Sequence, residues 1–441
     1  MHITVKTGMW IFGLLFALFG VLTIQYAAVI WTTGTPWLLS AFEHLAIYTP
    51  GAEPGLNTVE ESLTHYREFA GSMSTHALVG GLVMLAGSLQ FIPALRRNHR
   101  QLHRLNGAVL VLFMLAVSAT GLYFLYHTPR DGILAGEAFY FALGAVALLS
   151  LGLLYQAGLA IASKDFRGHM IWMSLAFSCF LTAPLLRLNY FAVAGLDEQP
   201  LNRIVQNSSP TVLTQAFVVM MLWFVLVGDK DLPARSKPTW IRSKVASSQL
   251  LVGLVVTSLW ALGLALLYQP LAAYFNGGQA SGIVCIVLVL LAKTWQIAHS
   301  RAQWASSLSG SKKPHPGFAW ATLASSLAWL LLASQMNVDA FYAQALYFTC
   351  LHLLVMELLL LVLAATTPNL STGSNLFGAL SASVSWYWVG LLPTTVAFWL
   401  AGFPGDLSLA VAFGLVPAVF VIVGVVFSSG LTLRAIPALL R

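Results

Sequence analysis

The chain is a succession of long apolar runs separated by short polar segments, and this pattern sets the fold class. A helix that crosses the hydrocarbon core of a bilayer needs about 20 mostly apolar residues. Only 8% of the 441 residues are charged, whereas about a quarter are charged in soluble domains. The sequence therefore predicts an all-α fold, a polytopic transmembrane helical bundle.

The apolar runs predict about twelve spans by the hydropathy criterion. They cover residues 9–31, 73–95, 104–126, 136–162, 169–192, 211–228, 248–268, 279–298, 317–334, 340–366, 376–402 and 407–430. An even number of spans places both termini on the same side of the membrane.

Charge predicts which side this is. Cytoplasmic loops of membrane proteins carry an excess of Lys and Arg. Basic residues cluster in every second loop, at 96–104, 164–167, 230–244 and 301–313, if the N-terminus lies inside. The sequence thus predicts a multi-pass protein of a bacterial inner (plasma) membrane with both termini cytoplasmic.

The net charge of +7 then reflects topology and attraction to anionic lipid. The lipid bilayer is the expected partner, and nucleic acid is not, because no phosphate loop or basic soluble face is present.

One cytoplasmic segment divides the chain. Residues 229–247 are rich in charge and contain two prolines. This predicts a six-helix N-terminal half, residues 1–230, with a core at 70–190, and a six-helix C-terminal half, residues 248–441, whose role the sequence does not indicate.

Histidines at span ends suggest a cofactor. His103 and His169 begin spans that rise from the inside, whereas His76 and His127 lie in the outer layer. A haem iron in a b cytochrome takes two axial imidazoles. The arrangement predicts haem b with His103 and His169 as iron ligands, and a second site formed by His76 with His127 or His352. The function would be a b-type cytochrome or redox subunit that moves electrons across the inner membrane, with a membrane redox partner or quinone.

Two alternatives remain open at this point. Histidines at span ends also lie in the hydrated headgroup layer without any cofactor. The chain could instead be a small-molecule carrier, with His76, Gln90, Arg187 and His352 as ligand contacts, or an accessory subunit of a membrane complex. Lys293 lies close enough to the inner end of its span for its ammonium to reach the headgroups.

Three segments resemble a known family. They are "THALVGGLVMLAGSLQFIPALRRNHRQLHRLNGAVL" at 75–110, "GHMIWM" at 168–173 and "TAPLLRL" at 182–188. Their ordered residues resemble the bacterial multi-pass membrane proteins of domain-of-unknown-function family 2306; the matching positions are His76, Gln90, Phe91, Arg96, His103, Arg104, Gly107, His169, Trp172, Met173 and Arg187. Met170 and Leu110 depart from the family pattern. The resemblance implies a shared helical core, and the spread of histidines over successive helices is similar, more loosely, to cytochrome-b561-type bundles.

Overall fold

The computed structural model describes most of the first half of the chain and three helices of the second. The described residues are 2–32, 34, 36–37, 40, 59–129, 136–194, 205, 207–209, 211–224, 275–308, 316–337, 341–366, 397, 400–402 and 422. The predicted span 248–268 and nearly all of spans 376–402 and 407–430 lie outside these residues.

The described backbone is helical, which confirms the all-α prediction. Its only bridge of strand type, within these ranges, is an isolated antiparallel pair between Phe275 and Met336. The helices are α1 (His2–Ile30), α2 (Val59–Glu68), α3 (Ala70–Gln90), α4 (Pro93–Asn98), α5 (Arg100–His127), α6 (Gly136–Ala162), α7 (Phe166–Ala194), α8 (Val212–Trp223), α9 (Gly278–Leu308), α10 (Pro316–Ser334) and α11 (Phe341–Thr366).

Six of the described helices are long and apolar enough to cross a membrane. They are the segments Gly13–Ile30, Ala70–Gln90, Arg100–His127, Phe139–Ala162, Phe166–Val193 and Gly317–Ser334. Three shorter apolar stretches are Val212–Met221, Gly278–Lys293 and Tyr347–Leu359. The chain is thus a multi-pass membrane protein, while the count of twelve spans and the cytoplasmic termini stay predictions.

Contacts along the chain separate two compact units. The first comprises Met1–Met220 with Leu226–Gly228, and the second comprises Met221–Val225 with Asp229–Arg441. The division into two six-helix halves stays a prediction, because the helix count of each unit extends beyond the described residues.

Four helices of the first unit pack in a ring. Helix α3 packs on α5, α5 on α6, α6 on α7, and α7 returns to α3. Helices α5 and α7 therefore face each other across the ring. Helix α1 lies outside the ring against α3.

Glycines bring α1 and α3 into backbone contact. A Cβ atom on Gly81 would lie 2.6 Å from the carbonyl oxygen of Gly20, and a Cβ atom on Gly20 would lie 2.8 Å from that of Gly81. Small residues at a membrane helix interface allow the close approach that van der Waals packing needs. This contact fixes α1 on the ring.

Helix α7 forms the centre of the first unit. Every residue from 171 to 181 is buried. The Phe177 ring lies 4.9 Å from that of Phe91 and 6.2 Å from that of Phe16, measured between centroids. It also fills the space beside Gly87, where a Cβ would overlap the ring. These contacts hold α7 in place, so the polar side chains at its two ends have fixed neighbours.

In the second unit, α10 packs between α9 and α11. Trp329 of α10 is one of its largest fully buried side chains. The three helices enclose polar side chains as well as apolar ones.

Candidate functional site

At the cytoplasmic end predicted from charge, the inner layer is a chain of hydrogen bonds from Asn106 to His103. Asn106 Nδ2 donates to the carbonyl oxygen of Ala86 and to Oε1 of Gln90, both at 2.9 Å. The Gln90 oxygen is therefore an acceptor, and its Nε2 group faces Nε2 of His103 at 3.4 Å. Gly107 makes room for this contact, because a Cβ there would lie 2.9 Å from Gln90 Nε2.

This network determines the tautomer of His103. A neutral imidazole has one nitrogen that donates and one that accepts. Because Gln90 donates to Nε2, the proton of His103 lies on Nδ1. That atom is buried and has no hydrogen-bond partner in the described structure. A buried N–H without an acceptor is rare and requires an explanation. One explanation is that a bound ligand supplies the missing partner.

His169 has the complementary arrangement. Its Nδ1 donates to the carbonyl oxygen of Ala157 on α6, at 2.9 Å. The proton is thereby fixed on Nδ1, and Nε2 keeps its lone pair with no hydrogen bond to any described residue. His103 and His169 are close enough to interact electrostatically. His103 of α5 and His169 of α7 thus lie near each other in the inner layer.

His76 is held by α5 near the middle of that helix. Its Nδ1 donates to the Val117 carbonyl oxygen at 3.0 Å and to Thr120 Oγ1 at 3.2 Å. Gly121 leaves space for the ring, since a Cβ there would lie 3.2 Å from His76 Cε1. As in His169, the Nε2 atom is left with a free lone pair among the described residues.

The other end of the ring carries Arg187 near three tyrosines. Arg187 interacts electrostatically with His76 and with the tyrosines Tyr26, Tyr66 and Tyr190. Its guanidinium carbon lies 5.8 Å from the Tyr190 ring centroid. Its NH1 group donates to the Ala183 carbonyl oxygen at 3.3 Å, one turn earlier in the same helix. No described carboxylate forms an ion pair with Arg187. We call Arg187, His76 and the three tyrosines the outer cluster.

Helix α2 covers part of the outer cluster. The Tyr66 ring lies 6.4 Å from that of Tyr26 and 5.9 Å from that of Phe124. Arg67 NH2 donates to the carbonyl oxygen of Thr32, at 2.7 Å, just beyond the end of α1. Burial raises the pKa of the Tyr66 phenol, and the Arg187 guanidinium lowers it by a smaller amount. The Tyr66 hydroxyl therefore stays protonated at neutral pH and can donate.

Two predicted site residues, His127 and His352, lie apart from these groups. His127 is exposed and bonds to Tyr123 of its own helix, at 2.8 Å. His76 meets α5 six to ten residues before His127, which is roughly 9–15 Å along the helix axis, so the structure does not pair the two. Gln90 belongs to the inner layer and not to the outer cluster. His352 lies in the second unit, on α11.

Sequence reasoning missed a buried ion pair in the second unit. Lys293 of α9 and Glu357 of α11 form a salt bridge, with side chains only 2% and 1% exposed. The expectation that Lys293 reaches the headgroups is wrong, because this carboxylate holds its ammonium in the interior. Two charged residues 64 positions apart carry no sequence pattern that would pair them.

No group of three or more His, Cys, Asp or Glu side chains in the described part of the chain could hold a metal ion. A haem iron needs only two imidazoles, so this observation concerns other kinds of metal centre.

Residues 73–227 match the model of a family described as "Predicted membrane protein (DUF2306)". This range contains α5, α6 and α7, nearly all of α3, and the histidines of both layers. It thereby confirms the resemblance found in the sequence. No curated protein and no solved structure matches the chain significantly.

Proposed function

We propose that this chain, residues 73–227 of which belong to the DUF2306 family of membrane proteins, is a b-type cytochrome or redox subunit. If haem b is bound, His103 and His169 would hold its iron. A membrane quinone or a redox protein would exchange electrons with it. When bound, haem supplies a one-electron carrier in a medium that otherwise excludes charge.

The observation that carries this proposal is a pair of nearby histidines on two helices: Nε2 of His169 bonds to no described residue, and Nδ1 of His103 is buried without a partner. Ligating histidines usually donate their second N–H to a carbonyl or carboxylate, which orients the ring and fixes the tautomer. His169 does this through Ala157 and leaves Nε2 available. His103 lies on the helix opposite, close enough to interact with His169 electrostatically.

The fit differs between the two ligands. His169 meets the orientation requirement of a ligand, because its Nδ1–H is held by the Ala157 carbonyl and its Nε2 bonds to no described residue. His103 directs Nε2 toward the Gln90 amide, but this hydrogen bond is long at 3.4 Å, and therefore weaker than a bond of the usual length of about 2.7–3.2 Å. Ligation through Nε2 requires the His103 ring to turn away from Gln90. The same rotation moves the Nδ1–H out of the buried position in which it has no acceptor.

The test is an oxidised-minus-reduced visible spectrum of the full chain purified in detergent from haem-replete cells. We expect a b-type α band that His103→Ala and His169→Ala each abolish. His99→Ala is a matched control, because His99 is exposed and lies just before α5 in the same basic segment. This control should keep the band, and a pyridine haemochrome assay should give the same result as the spectrum.

A colourless wild-type preparation would overturn the haem proposal. So would a band that survives in both histidine variants. In either case the outer cluster becomes the basis for function.

The outer cluster supports a second candidate, a small-molecule carrier or accessory subunit. A guanidinium without a described carboxylate partner, beside three phenols and His76, suits a ligand that carries a carboxylate or a carbonyl group. The probe is a short-chain quinone added to the full chain in detergent, with the thermal unfolding midpoint as the readout. A rise in the midpoint that disappears in Arg187→Gln and persists in Arg167→Gln supports this candidate. An equal rise in both variants contradicts it.

A further inference from the structure

The polar core of the second unit is a set of side chains from three helices around one carboxylate. Glu357 of α11 receives the Lys293 ammonium from α9 and, at 3.1 Å on Oε1, the indole N–H of Trp329 from α10. The Lys293 Nζ atom also donates to Gln296 Oε1 at 3.1 Å. It lies 5.3 Å from the centroid of the Trp329 ring.

Stability alone is a poor explanation for this pair. Removing two charges from water costs several kcal/mol per ion, so well-packed apolar residues often serve stability equally well or better. Ionisable residues buried in membrane helices are rare, and they commonly belong to ion or proton pathways. The pair therefore needs a use that an apolar contact would not provide.

One oxygen of the carboxylate is unsatisfied. Glu357 is only 1% exposed, and its Oε2 atom has no hydrogen-bond partner in the described structure. A purely structural ion pair would satisfy both oxygens, because an unpaired buried acceptor costs about 1–3 kcal/mol. The free oxygen is where a proton can add without displacing any existing contact.

The neighbouring groups suit both charge states. Thr322, Ser325 and Trp329 are three and then four residues apart, so they share one face of α10. Ser325 lies one turn before Trp329, which bonds to Glu357, and the Ser325 hydroxyl oxygen is buried without a partner; a new carboxyl O–H would need such an acceptor. Lys293 keeps Gln296 and the face of Trp329 when Glu357 becomes neutral.

We propose that Glu357 is a proton-binding site, with Lys293 as the positioning residue that controls it. A proton from the aqueous phase adds to Oε2, the carboxylate becomes a neutral acid, and its ion pair with Lys293 ends. The second unit therefore takes up protons as part of its function. This proposal is independent of the haem proposal, which concerns the first unit alone.

Few other titratable groups surround this site in the described structure. Lys293 faces it from α9, and α10 has no titratable side chain in Pro316–Ser334. On α11, Cys350 is two turns before Glu357 on the same face, and His352 is five residues before it on a different face. Glu357 is thus the only carboxylic acid among these described groups, so a carboxyl signal from this site can be assigned to it.

The experiment is infrared difference spectroscopy of the full chain in lipid nanodiscs as the pH is lowered. We expect the C=O band of a protonated buried carboxyl to appear reversibly, to shift in deuterium oxide and to be lost in Glu357→Gln. In Lys293→Gln the band should already be present at neutral pH, because the cation that favours the carboxylate is gone. Glu68→Gln is the control, since the Glu68 side chain is 65% exposed.

The double variant Lys293→Gln/Glu357→Gln leaves no unpaired charge, and it replaces Glu357→Gln if that variant fails to fold. The proposal is overturned if wild type and the double variant give the same spectra while circular dichroism shows both folded. It is also overturned if the band in Lys293→Gln appears at the same pH as in wild type.

Discussion

Gln90 Nε2 lies 3.4 Å from His103 Nε2, and Asn106 determines that it is the nitrogen, and not the oxygen, of Gln90 that faces the imidazole. Asn106 is itself fixed by its bond to the Ala86 carbonyl. Asn106, whose side chain bonds to Ala86 and Gln90 and not to the His103 ring, therefore determines which nitrogen of His103 carries the proton. The result is a buried donor at Nδ1, across the ring of helices from His169.

Replacing Asn106 tests this network. Asn106→Ala removes two hydrogen bonds of 2.9 Å and lets the Gln90 amide turn over. We expect the free energy of unfolding to fall by about 1–3 kcal/mol, since a net hydrogen bond contributes about 0.5–1.5 kcal/mol. Thermal unfolding in detergent measures the change. Asn98→Ala is the control, because Asn98 is exposed; equal midpoints for the two variants would contradict the network.

The contact between α1 and α3 predicts a sharp difference between neighbouring glycines. A Cβ on Gly81 would lie 2.6 Å from the Gly20 oxygen and 2.7 Å from Ile24 Cγ1, whereas a Cβ on Gly80 meets nothing within 4 Å. Because backbone atoms cannot move aside easily, we expect Gly81→Ala to destabilise the protein by about 1–3 kcal/mol. Gly80→Ala should have little effect on the unfolding midpoint. Equal midpoints would show that α1 does not pack on α3 in this way.

The positions of the helices were largely predictable from hydropathy. The expected span 136–162 coincides with α6, and 104–126 falls within α5. Length and apolar character are properties of a single segment, so they can be read without knowing what the segment packs against. The expected depth of each histidine in the bilayer can be inferred in the same way, from the distance between the histidine and the end of its span.

The partners of polar groups were not predictable in this way. His76 and His127 lie in the same half of the bilayer by sequence, yet His76 bonds to Val117 and Thr120, and His127 bonds to its own helix. Depth along a helix leaves rotation and neighbours undetermined. Lys293 and Glu357 show the same limit, because only the packing of α9, α10 and α11 brings them together.

The charge pattern makes a prediction about orientation that labelling can test. Asn98 and Pro129 lie at opposite ends of α5, and both are exposed. Cys179, Cys285 and Cys350 are free and buried, so they should react little. We expect a membrane-impermeant maleimide to label Asn98→Cys in inside-out vesicles and Pro129→Cys in spheroplasts. The reverse pattern would contradict the cytoplasmic placement of the basic loops.

The Lys293–Glu357 pair should show strong coupling in a double-mutant cycle. Glu357→Gln alone leaves a buried ammonium without its counter-ion, and we expect the free energy of unfolding to fall by about 3–5 kcal/mol. In Lys293→Gln alone, the free energy of unfolding should fall by less, because a buried carboxylate can take up a proton and become neutral. The double variant should lose less than the sum of the single variants. Unfolding of each variant, followed by circular dichroism in the same detergent, gives the coupling energy.

A pair on α2 with one exposed partner provides the comparison for this cycle. His65 Nδ1 lies 3.5 Å from Glu68 Oε2; the His65 side chain is 15% exposed and the Glu68 side chain is 65% exposed. Solvent screens such a pair, so its coupling energy should be at most about 1 kcal/mol. Because the Lys293–Glu357 pair is buried, its coupling energy should exceed this value clearly. Similar coupling energies would mean that water reaches Glu357. Its Oε2 atom would then bond to water, and the proposal that a proton adds to an unsatisfied buried oxygen would lose its basis.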